Sequence, residues 1–377
     1  MIRICILLVS LSSLAFIYTD EDLPSSYETL NNTNYAYPNV ELFEEIDNSQ
    51  SFTRQSVLSE GTIYQIPIPR TGIYRLDFKY LSSTLGVADF NANRISIYGH
   101  PGGPLSEVIA ESCPDDLPEI AIFNSAGDER FTQNDYLLFY AEGPDKRTFQ
   151  QNNTITEELN PYSRTSFVYL KLNDRTGLRM QTQANVTDVD QYSNSYDYLT
   201  ISEEDKYNLL GDFSGTQGSG QRWFSKILSN QRTERLDDEL DISGIDLSSP
   251  AIIDMSFVGR SADFSDVQLT VENETFTTNI GRSNTGDIEA TYARPGDITQ
   301  EIRLSSETPE IVLNYPATSS PSEGWLDYIS VQFRKQISYE DQEITMVDFQ
   351  SLDYETYGFE FDGQEVEYIW DLSLIHI

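Results

Sequence analysis

The feature that most constrains this sequence is a series of short runs in which apolar and polar residues alternate. Tyr74, Leu76 and Phe78 alternate with Arg75 and Asp77, and side chains with a period of two lie on opposite faces of a β-strand. The same pattern recurs at 95–97, 168–172, 253–257, 267–271 and 329–333. Because no regular helical pattern separates these runs, the sequence predicts an all-β, mainly antiparallel fold.

Turn-forming residues lie between the alternating runs. Glycine and proline cluster at 99–104 and 142–145, which is typical of the tight turns of a meander or sandwich. We predict two consecutive β-sandwich-like domains with a short helical or irregular connection, in which Glu203-Glu204-Asp205-Lys206 precedes a glycine-rich stretch at 211–220. The predicted divisions are a signal peptide at 1–18, an extended acidic lead-in at 19–60, an N-terminal β domain at 61–190, a second β-sandwich domain at 191–337, the start of a further β-rich segment at 338–371, and a non-native tail at 372–377.

The first residues have the composition of a secretory signal. Met1, Ile2 and Arg3 precede an apolar run at 4–16 that ends in small residues. This run is shorter than the roughly 20 apolar residues that a membrane anchor needs, so we expect export without a transmembrane anchor and a mature chain that starts near residue 16 to 20. Removal of the signal leaves Cys113 as the only cysteine, and no intramolecular disulfide can then form.

The charge of the chain excludes some partners. It has 61 acidic and 24 basic residues and a formal net charge of −37, whereas proteins that bind nucleic acid need clustered lysine and arginine. We therefore expect no nucleic-acid partner. A surface covered with solvated carboxylates suits a saline habitat. Calcium binding is the alternative, although the nearest fragments, Asp188-Val189-Asp190 and Asp237-Asp238-Glu239-Leu240-Asp241, do not form an EF-hand loop.

Catalytic and metal-binding residues are scarce. The only cysteines and histidines are Cys5, Cys113, His100 and His376, which are too scattered for structural zinc. Cys113 precedes Pro114-Asp115-Asp116, an acidic setting that raises a thiol pKa. The chain has no G-x-S-x-G nucleophile elbow, and its many acids single out no carboxylate pair for glycoside hydrolysis. We therefore assign no catalytic, cofactor-binding or metal-binding residue.

An ordered set of short strings resembles one family. The chain contains GIYRLDF at 72–78, RISIYG at 94–99, GGPLSE at 102–107, DDLPE at 115–119, NDYLLFYAEGPD at 134–145, NPYS at 160–163, YNLL at 207–210, GQRWF at 220–224, WLDYI at 325–329 and IWD at 369–371. In this order the strings resemble the N-terminal region of the PorU family of type IX secretion sortases, over roughly residues 60 to 371.

The resemblance implies a function for the complete protein. These sortases are gingipain-type cysteine peptidases at the cell surface, and they remove the C-terminal sorting domain of exported cargo and attach the cargo to an anionic lipopolysaccharide. Their catalytic histidine and cysteine belong to an α/β domain that follows the matched region. His100 lies where relatives have a different polar residue, so the resemblance carries no catalytic residue onto this chain.

The sequence thus predicts a non-catalytic front part of a sortase that is inactive alone and truncated before its catalytic domain. The implied partners are exported cargo proteins and components of the outer-membrane secretion machinery, and the implied location is the outer-membrane surface or the extracellular space. The alternative is a stand-alone secreted β-sandwich module that binds carbohydrate or an outer-membrane protein. Continuation of the gene beyond Asp371 into a domain with paired His and Cys favours the first interpretation.

Overall fold

The described part of the chain consists almost entirely of β-strands. The computed structural model describes residues 6–9, 55–86, 90–105, 115–127, 130–150, 152–182, 188–208, 222–229, 232–286, 290–316, 321–338, 343–361 and 368–372. The first group of strands is β1 (Ile6–Val9), β2 (Ile63–Ile68), β3 (Gly72–Asp77), β4 (Ile95–Gly99), β5 (Glu119–Ile120), β6 (Ile122–Asn124), β7 (Tyr136–Ala141), β8 (Lys146–Phe149), β9 (Ile155–Glu158) and β10 (Ser166–Leu172).

The remaining strands form a second and a third group. The second group is β11 (Gln191–Ser193), β12 (Ser195–Glu203), β13 (Tyr207–Asn208), β14 (Trp223–Phe224), β15 (Lys226–Leu228), β16 (Thr233–Arg235), β17 (Ala251–Arg260), β18 (Ser265–Val271), β19 (Glu274–Ile280), β20 (Arg294–Pro295), β21 (Ile298–Ile302), β22 (Ile311–Asn314) and β23 (Glu323–Gln336). The third group is β24 (Ile344–Met346), β25 (Tyr357–Phe359) and β26 (Tyr368–Asp371). The described helices are α1 (Phe78–Leu85) and the 3-10 helices Ala92–Arg94, Asp237–Glu239 and Phe349–Asp353.

Two antiparallel sheets form the front sandwich. One sheet has the order β2-β10-β4-β5 and the other the order β3-β7-β6. Ile68, Ile97 and Val168 from the first sheet share one buried core with Leu76 and Leu137 from the second. Face-to-face packing of two sheets is the arrangement that the alternating sequence predicts.

Two larger sheets form the second sandwich. One has the order β12-β23-β17-β20, with β15 and β21 also paired to it, and the other has the order β16-β22-β18-β19. On the 14-residue strand β23, Ile329, Val331 and Phe333 share a core with Ile253 of β17 and Leu269 of β18. The predicted all-β, mainly antiparallel fold is therefore confirmed.

The third group of strands folds back on both sandwiches. We call residues 343–361 and 368–372 the return segment. β11 pairs with β25 in parallel. β1 lies between β24 and β26 and pairs antiparallel with both. Because β1 lies inside the predicted signal peptide, cleavage of the signal would remove this strand. Trp370 and Leu372 of the return segment share a buried cluster with Ile73 and Leu138, which lie on the outer face of the β3-β7-β6 sheet.

One local prediction was wrong. Phe78 begins helix α1 instead of continuing β3, because the Asp77 carboxylate accepts a hydrogen bond from Tyr80 N at 2.7 Å and thus caps the helix. The predicted helical or irregular connection at 203–206 is irregular, since Glu203 ends β12 and the next three residues have no regular structure before β13. The glycine-rich stretch 211–220 lies outside the described residues.

The Asp77 cap gives a direct test of the corrected boundary. Asp77→Ala removes the acceptor for Tyr80 N, and we expect the free energy of unfolding to fall by about 1 kcal/mol. Asp77→Ser keeps a capping oxygen and should cost much less. Chemical denaturation of the three proteins measures both changes, and equal losses for Ala and Ser would contradict the capping role.

Candidate functional site

Of the four residues that the sequence offered for nucleophilic or metal chemistry, His100 is the only one that lies within the described residues. It follows β4 directly and is half-buried. Cys5, Cys113 and His376 lie outside the described residues. The prediction that no catalytic residue can be assigned therefore stays a prediction.

The acidic fragments weighed for calcium are bound by protein groups. The Asp190 carboxylate accepts hydrogen bonds from Thr356 N and Thr356 Oγ1, both at 2.9 Å. Asp237 pairs with Arg235, while Asp241 accepts a hydrogen bond from Ser243 Oγ at 2.5 Å. Within the described ranges, no group of three or more His, Cys, Asp or Glu side chains is placed to hold a metal ion.

The site that the structure does build is the place where three parts of the chain meet. We call it the junction, and it comprises the β8-β9 hairpin of the front sandwich, the outer face of β12 and β23, and the return segment. Ile155 of the hairpin, Leu199 of β12 and Val347 of the return segment share one buried apolar cluster there. Polar and charged side chains surround this cluster, and several of them connect two of these parts or join the return segment to β3.

Arg334 on β23 lies at the centre of the junction, with only 10% of its side chain exposed. Its guanidinium donates two hydrogen bonds to Asp348, whose side chain is fully buried, with Nη1 to Oδ1 at 2.6 Å and Nη2 to Oδ2 at 2.9 Å. Nη1 also lies 3.2 Å from Oδ2 of Asp197, and Nη2 donates to the Ser195 carbonyl at 2.8 Å. A bidentate arginine–carboxylate pair is both strong and geometrically specific.

The carboxylates of Asp197 and Asp348 each accept a hydrogen bond from the return segment. Oδ2 of Asp197 accepts a hydrogen bond from Phe349 N at 2.8 Å, and Asp348 Oδ2 accepts one from the Tyr357 hydroxyl at 2.9 Å. Burial raises the pKa of the Asp197 carboxyl, although the Phe349 N–H and the Arg334 guanidinium oppose the shift. Burial also raises the pKa of Tyr357, to about 12, and its hydrogen bond to Asp348 contributes. Tyr357 therefore stays a neutral donor.

Gln332 joins β23 to the front sandwich. Its Oε1 accepts a hydrogen bond from Ile155 N at 2.8 Å, and its Nε2 donates to the Asn153 carbonyl at 2.7 Å. Asn153 has φ +64° at the turn of the β8-β9 hairpin, a backbone conformation that asparagine adopts more readily than most residues. Both the oxygen and the nitrogen of the buried Gln332 amide thus bind the hairpin backbone.

Glu343 joins the return segment to β3. Its Oε1 accepts a hydrogen bond from Ile73 N at 3.0 Å. Burial raises the pKa of this carboxyl to about 7, although the hydrogen bond and the charge of Arg70 oppose the shift. At neutral pH a large fraction of Glu343 is therefore protonated in the folded protein.

Glu203 lies at the acidic rim of the junction. Burial raises its pKa to about 8, and the negative charges of Asp327, Asp205, Glu157 and Asp145 add to the shift. Three arginines partly neutralise this rim through Arg222–Asp327, Arg164–Asp205 and Arg147–Glu157 pairs. The cluster disfavours an additional negative charge, so Glu203 holds a proton at neutral pH.

The junction is built to hold chain segments in place. Its described groups are hydrogen-bonded carboxylates, amides and a guanidinium, with no cysteine, histidine or activated serine among them. Sequence analysis missed Arg334, Asp348, Gln332 and Glu343, because each looks like an ordinary polar residue in the sequence. None of the four lies within a resemblance string.

Comparisons with known proteins support the fold. No protein-family model and no curated protein match the sequence. Among solved structures, the chain is similar to dimeric latent PorU from Porphyromonas gingivalis, with a TM-score of 0.59 and 18% identity over 76% of this chain. The chain spans 25% of that PorU chain. The similarity therefore indicates a fold like that of about a quarter of the PorU chain.

Two other solved structures have much lower similarity. One is the CBM36-1 domain of a xylanase from the hindgut metagenome of Trinervitermes trinervoides, with a TM-score of 0.21 and 11% identity over 36% of this chain and 95% of that chain. The other is the cycloalternan-forming enzyme from Listeria monocytogenes, with a TM-score of 0.22 and 8% identity over 72% of this chain and 19% of that chain. Neither score indicates a shared fold.

The buried ion pair can be tested by removing one carboxylate. Asp348→Ala leaves Arg334 buried with only the more distant Asp197 as a charged partner, and we expect a loss of about 3–5 kcal/mol in the free energy of unfolding. Glu310→Ala breaks the exposed pair with Arg235 and should cost about 0–1 kcal/mol. Denaturant titration measures both losses. An Asp348→Ala loss no larger than that of Glu310→Ala would contradict the structural role of the pair.

The raised pKa values predict how stability depends on pH. Glu203 and Glu343 bind protons more tightly in the folded protein than at the ordinary pKa of 4.5. Their contribution to stability is therefore greatest below about pH 4.5, and it decreases as the pH rises to about 7 for Glu343 and about 8 for Glu203. The double variant Glu203→Gln/Glu343→Gln should lose this part of the pH dependence.

The measurement is the free energy of unfolding of the double variant and the parent protein at several pH values between about 5 and 9. Glu310→Gln, at an exposed position, provides the control for removing an ordinary carboxylate. A parent and a double variant whose stability curves run parallel over this range would show that the two carboxyls have ordinary pKa values.

Proposed function

We propose that this chain is the non-catalytic N-terminal part of a type IX secretion sortase. The complete protein would remove the C-terminal sorting domain of exported cargo and attach the cargo to lipopolysaccharide, with its catalytic His and Cys in a following domain. We further propose domain borders near 61–190, 191–337 and 338–371, and a location at the outer-membrane surface or outside the cell.

One observation carries this proposal. The described fold is similar to that of PorU with a TM-score of 0.59 over 76% of this chain, and the ordered sequence strings independently resemble the N-terminal region of the same family. The identity of 18% supports a common fold, whereas the sortase activity, the cargo and the secretion partners belong to the proposal.

The junction supports a scaffold role within that function. Arg334, Asp348 and Gln332 fix the return segment and the front sandwich to the second sandwich. A chain that continues from the return segment into a peptidase domain would leave from a firmly held strand, β26, whose Trp370 is buried. We therefore propose that the β domains position the catalytic domain relative to the cell surface and the cargo.

None of the described helices has the length and apolar character of a membrane-spanning segment, and α1 has only eight residues.

A stand-alone binding module is the second candidate function. The observation in its favour is a pair of exposed aromatic side chains on the short β13-β14 ladder, one on each face: Tyr207 is 42% exposed and Trp223 is 36% exposed. Exposed aromatic rings offer flat apolar faces to a ligand. In this case the chain would bind carbohydrate or an outer-membrane protein without any peptidase domain.

The decisive experiment identifies the mature protein in the source bacterium. An antibody to residues 232–286 should detect a surface protein considerably larger than 42.9 kDa, and mass spectrometry should find a His- and Cys-containing peptidase domain in the same polypeptide. The mature N terminus is expected near residue 16 to 20. A surface protein of about the mass of this chain, in cells that still mature their cargo, would contradict the sortase proposal and favour the binding module.

A further inference from the structure

Strand β19 is an open edge of the second sandwich. It is the last strand in the order β16-β22-β18-β19 and pairs with β18 over all seven residues without a bulge. The backbone hydrogen bonds of the described chain outside regular elements include none from residues 274–280. Every second residue of an antiparallel edge strand directs its N–H and C=O away from its partner, so β19 presents backbone groups that pair with no other described residue.

This edge lacks the usual protection. Natural proteins protect edge strands with proline, lysine, bulges, inward-pointing charges or very short length. Other edges of this chain follow that rule, since β2 contains Pro67, β20 ends at Pro295 and β5 has two residues. In β19 the inward-facing side chains are Phe276, Thr278 and Ile280, and the strand contains neither lysine nor proline.

A group of arginines lies at one end of the same edge. Arg282 follows β19 by two residues and stacks on the ring of Phe264 at 4.9 Å, and Phe264 is 54% exposed. Nε of Arg294 donates a hydrogen bond to the Arg282 carbonyl at 3.4 Å, which keeps the two residues adjacent. Neither guanidinium forms a salt bridge with a carboxylate in the described part of the chain.

The charges along the edge differ at its two ends. Glu274 begins the strand, while Arg282 and Arg294, both exposed, lie beyond its other end. The outward-facing residues between them, Thr275, Thr277 and Asn279, are neutral, and Asn279 donates to Asp266 at 2.9 Å. Two exposed arginines without a carboxylate partner in the described part of the chain are notable beside an open edge, because they attract anions in a chain with a net charge of −37.

We propose that β19 and the two arginines form a docking site for an extended acidic peptide segment of a protein partner. The peptide adds to the sheet as a further strand, with main-chain hydrogen bonds to β19 supplying affinity. Its acidic side chains meet Arg282 and Arg294, whose planar guanidiniums bind carboxylates with two hydrogen bonds. In an antiparallel arrangement the acidic residues precede the pairing stretch, because the start of the peptide lies beside Ile280. This inference does not depend on the proposed sortase function.

The test uses the full chain and a fluorescent peptide of about ten residues, a typical strand length, in which two aspartates precede alternating threonine and valine. Fluorescence anisotropy measures binding. We expect Arg282→Glu/Arg294→Glu to weaken the interaction by at least about tenfold, equivalent to about 1.4 kcal/mol. Arg94→Glu, which makes the same substitution at one exposed arginine of the front sandwich, should leave binding unchanged. A peptide with two lysines in place of the aspartates should bind as weakly as the double variant does.

Hydrogen exchange locates the bound peptide. The proposal expects slower exchange at backbone amides of residues 274–280 in the presence of the acidic peptide, with circular dichroism confirming that each variant is folded. Three results would overturn it: no binding at millimolar peptide, binding that the double variant does not weaken, or protection confined to other strands. Equal binding of polygalacturonate without protection of β19 would also overturn it, because the arginines would then recognise negative charge alone.

Discussion

The buried guanidinium of Arg334 is the interaction on which the arrangement of this chain depends. A charge removed from water is costly unless hydrogen-bonded partners of opposite charge surround it. Asp348, fully buried, and Asp197 provide those partners from two different parts of the chain. Because the cost of separating them is large, β12, β23 and the return segment must stay together as long as Arg334 stays buried. An apolar side chain in place of Arg334 could pack as well, but it would not restrict β12, β23 and the return segment to one arrangement as strictly.

The acids of this chain have two separate physical roles. Many of the described acids are exposed and give the surface its negative charge, which was the interpretation that the sequence supported. Others are half-buried, and for Glu203 and Glu343 in the junction burial raises the pKa. Neutral carboxyls in the junction avoid adding charge to a region that already contains Asp197, Asp327 and Asp348. Net charge alone could not reveal this difference, because it depends on which acids are removed from water.

The sequence predicted the regular strands well because the alternating pattern of each strand lies within a few consecutive residues. In β18, Val267, Leu269 and Val271 alternate with polar residues, and the structure buries all three. Phe78 was misassigned because the alternation of β3 continues by chance into a helix that Asp77 caps. The junction was not predictable in this way. The hydrogen bond between Glu343 and Ile73 N spans 270 residues, and no periodicity carries information over that distance. Arg334 likewise looks like the next polar residue after an alternating run.

The rigid interior also determines what the open edge can do. Phe276 and Ile280 of β19 pack on the same core as Ile329, Val331 and Phe333 of β23, and Arg334 follows directly on that strand. In this core Gly324 allows the Phe257 ring to approach its backbone so closely that an added Cβ would lie 2.4 Å from Cζ. Such dense packing resists displacement, so β19 keeps a fixed orientation relative to the junction. A strand bound at this edge would therefore be held in a defined direction relative to the return segment, at the opposite side of one continuous core.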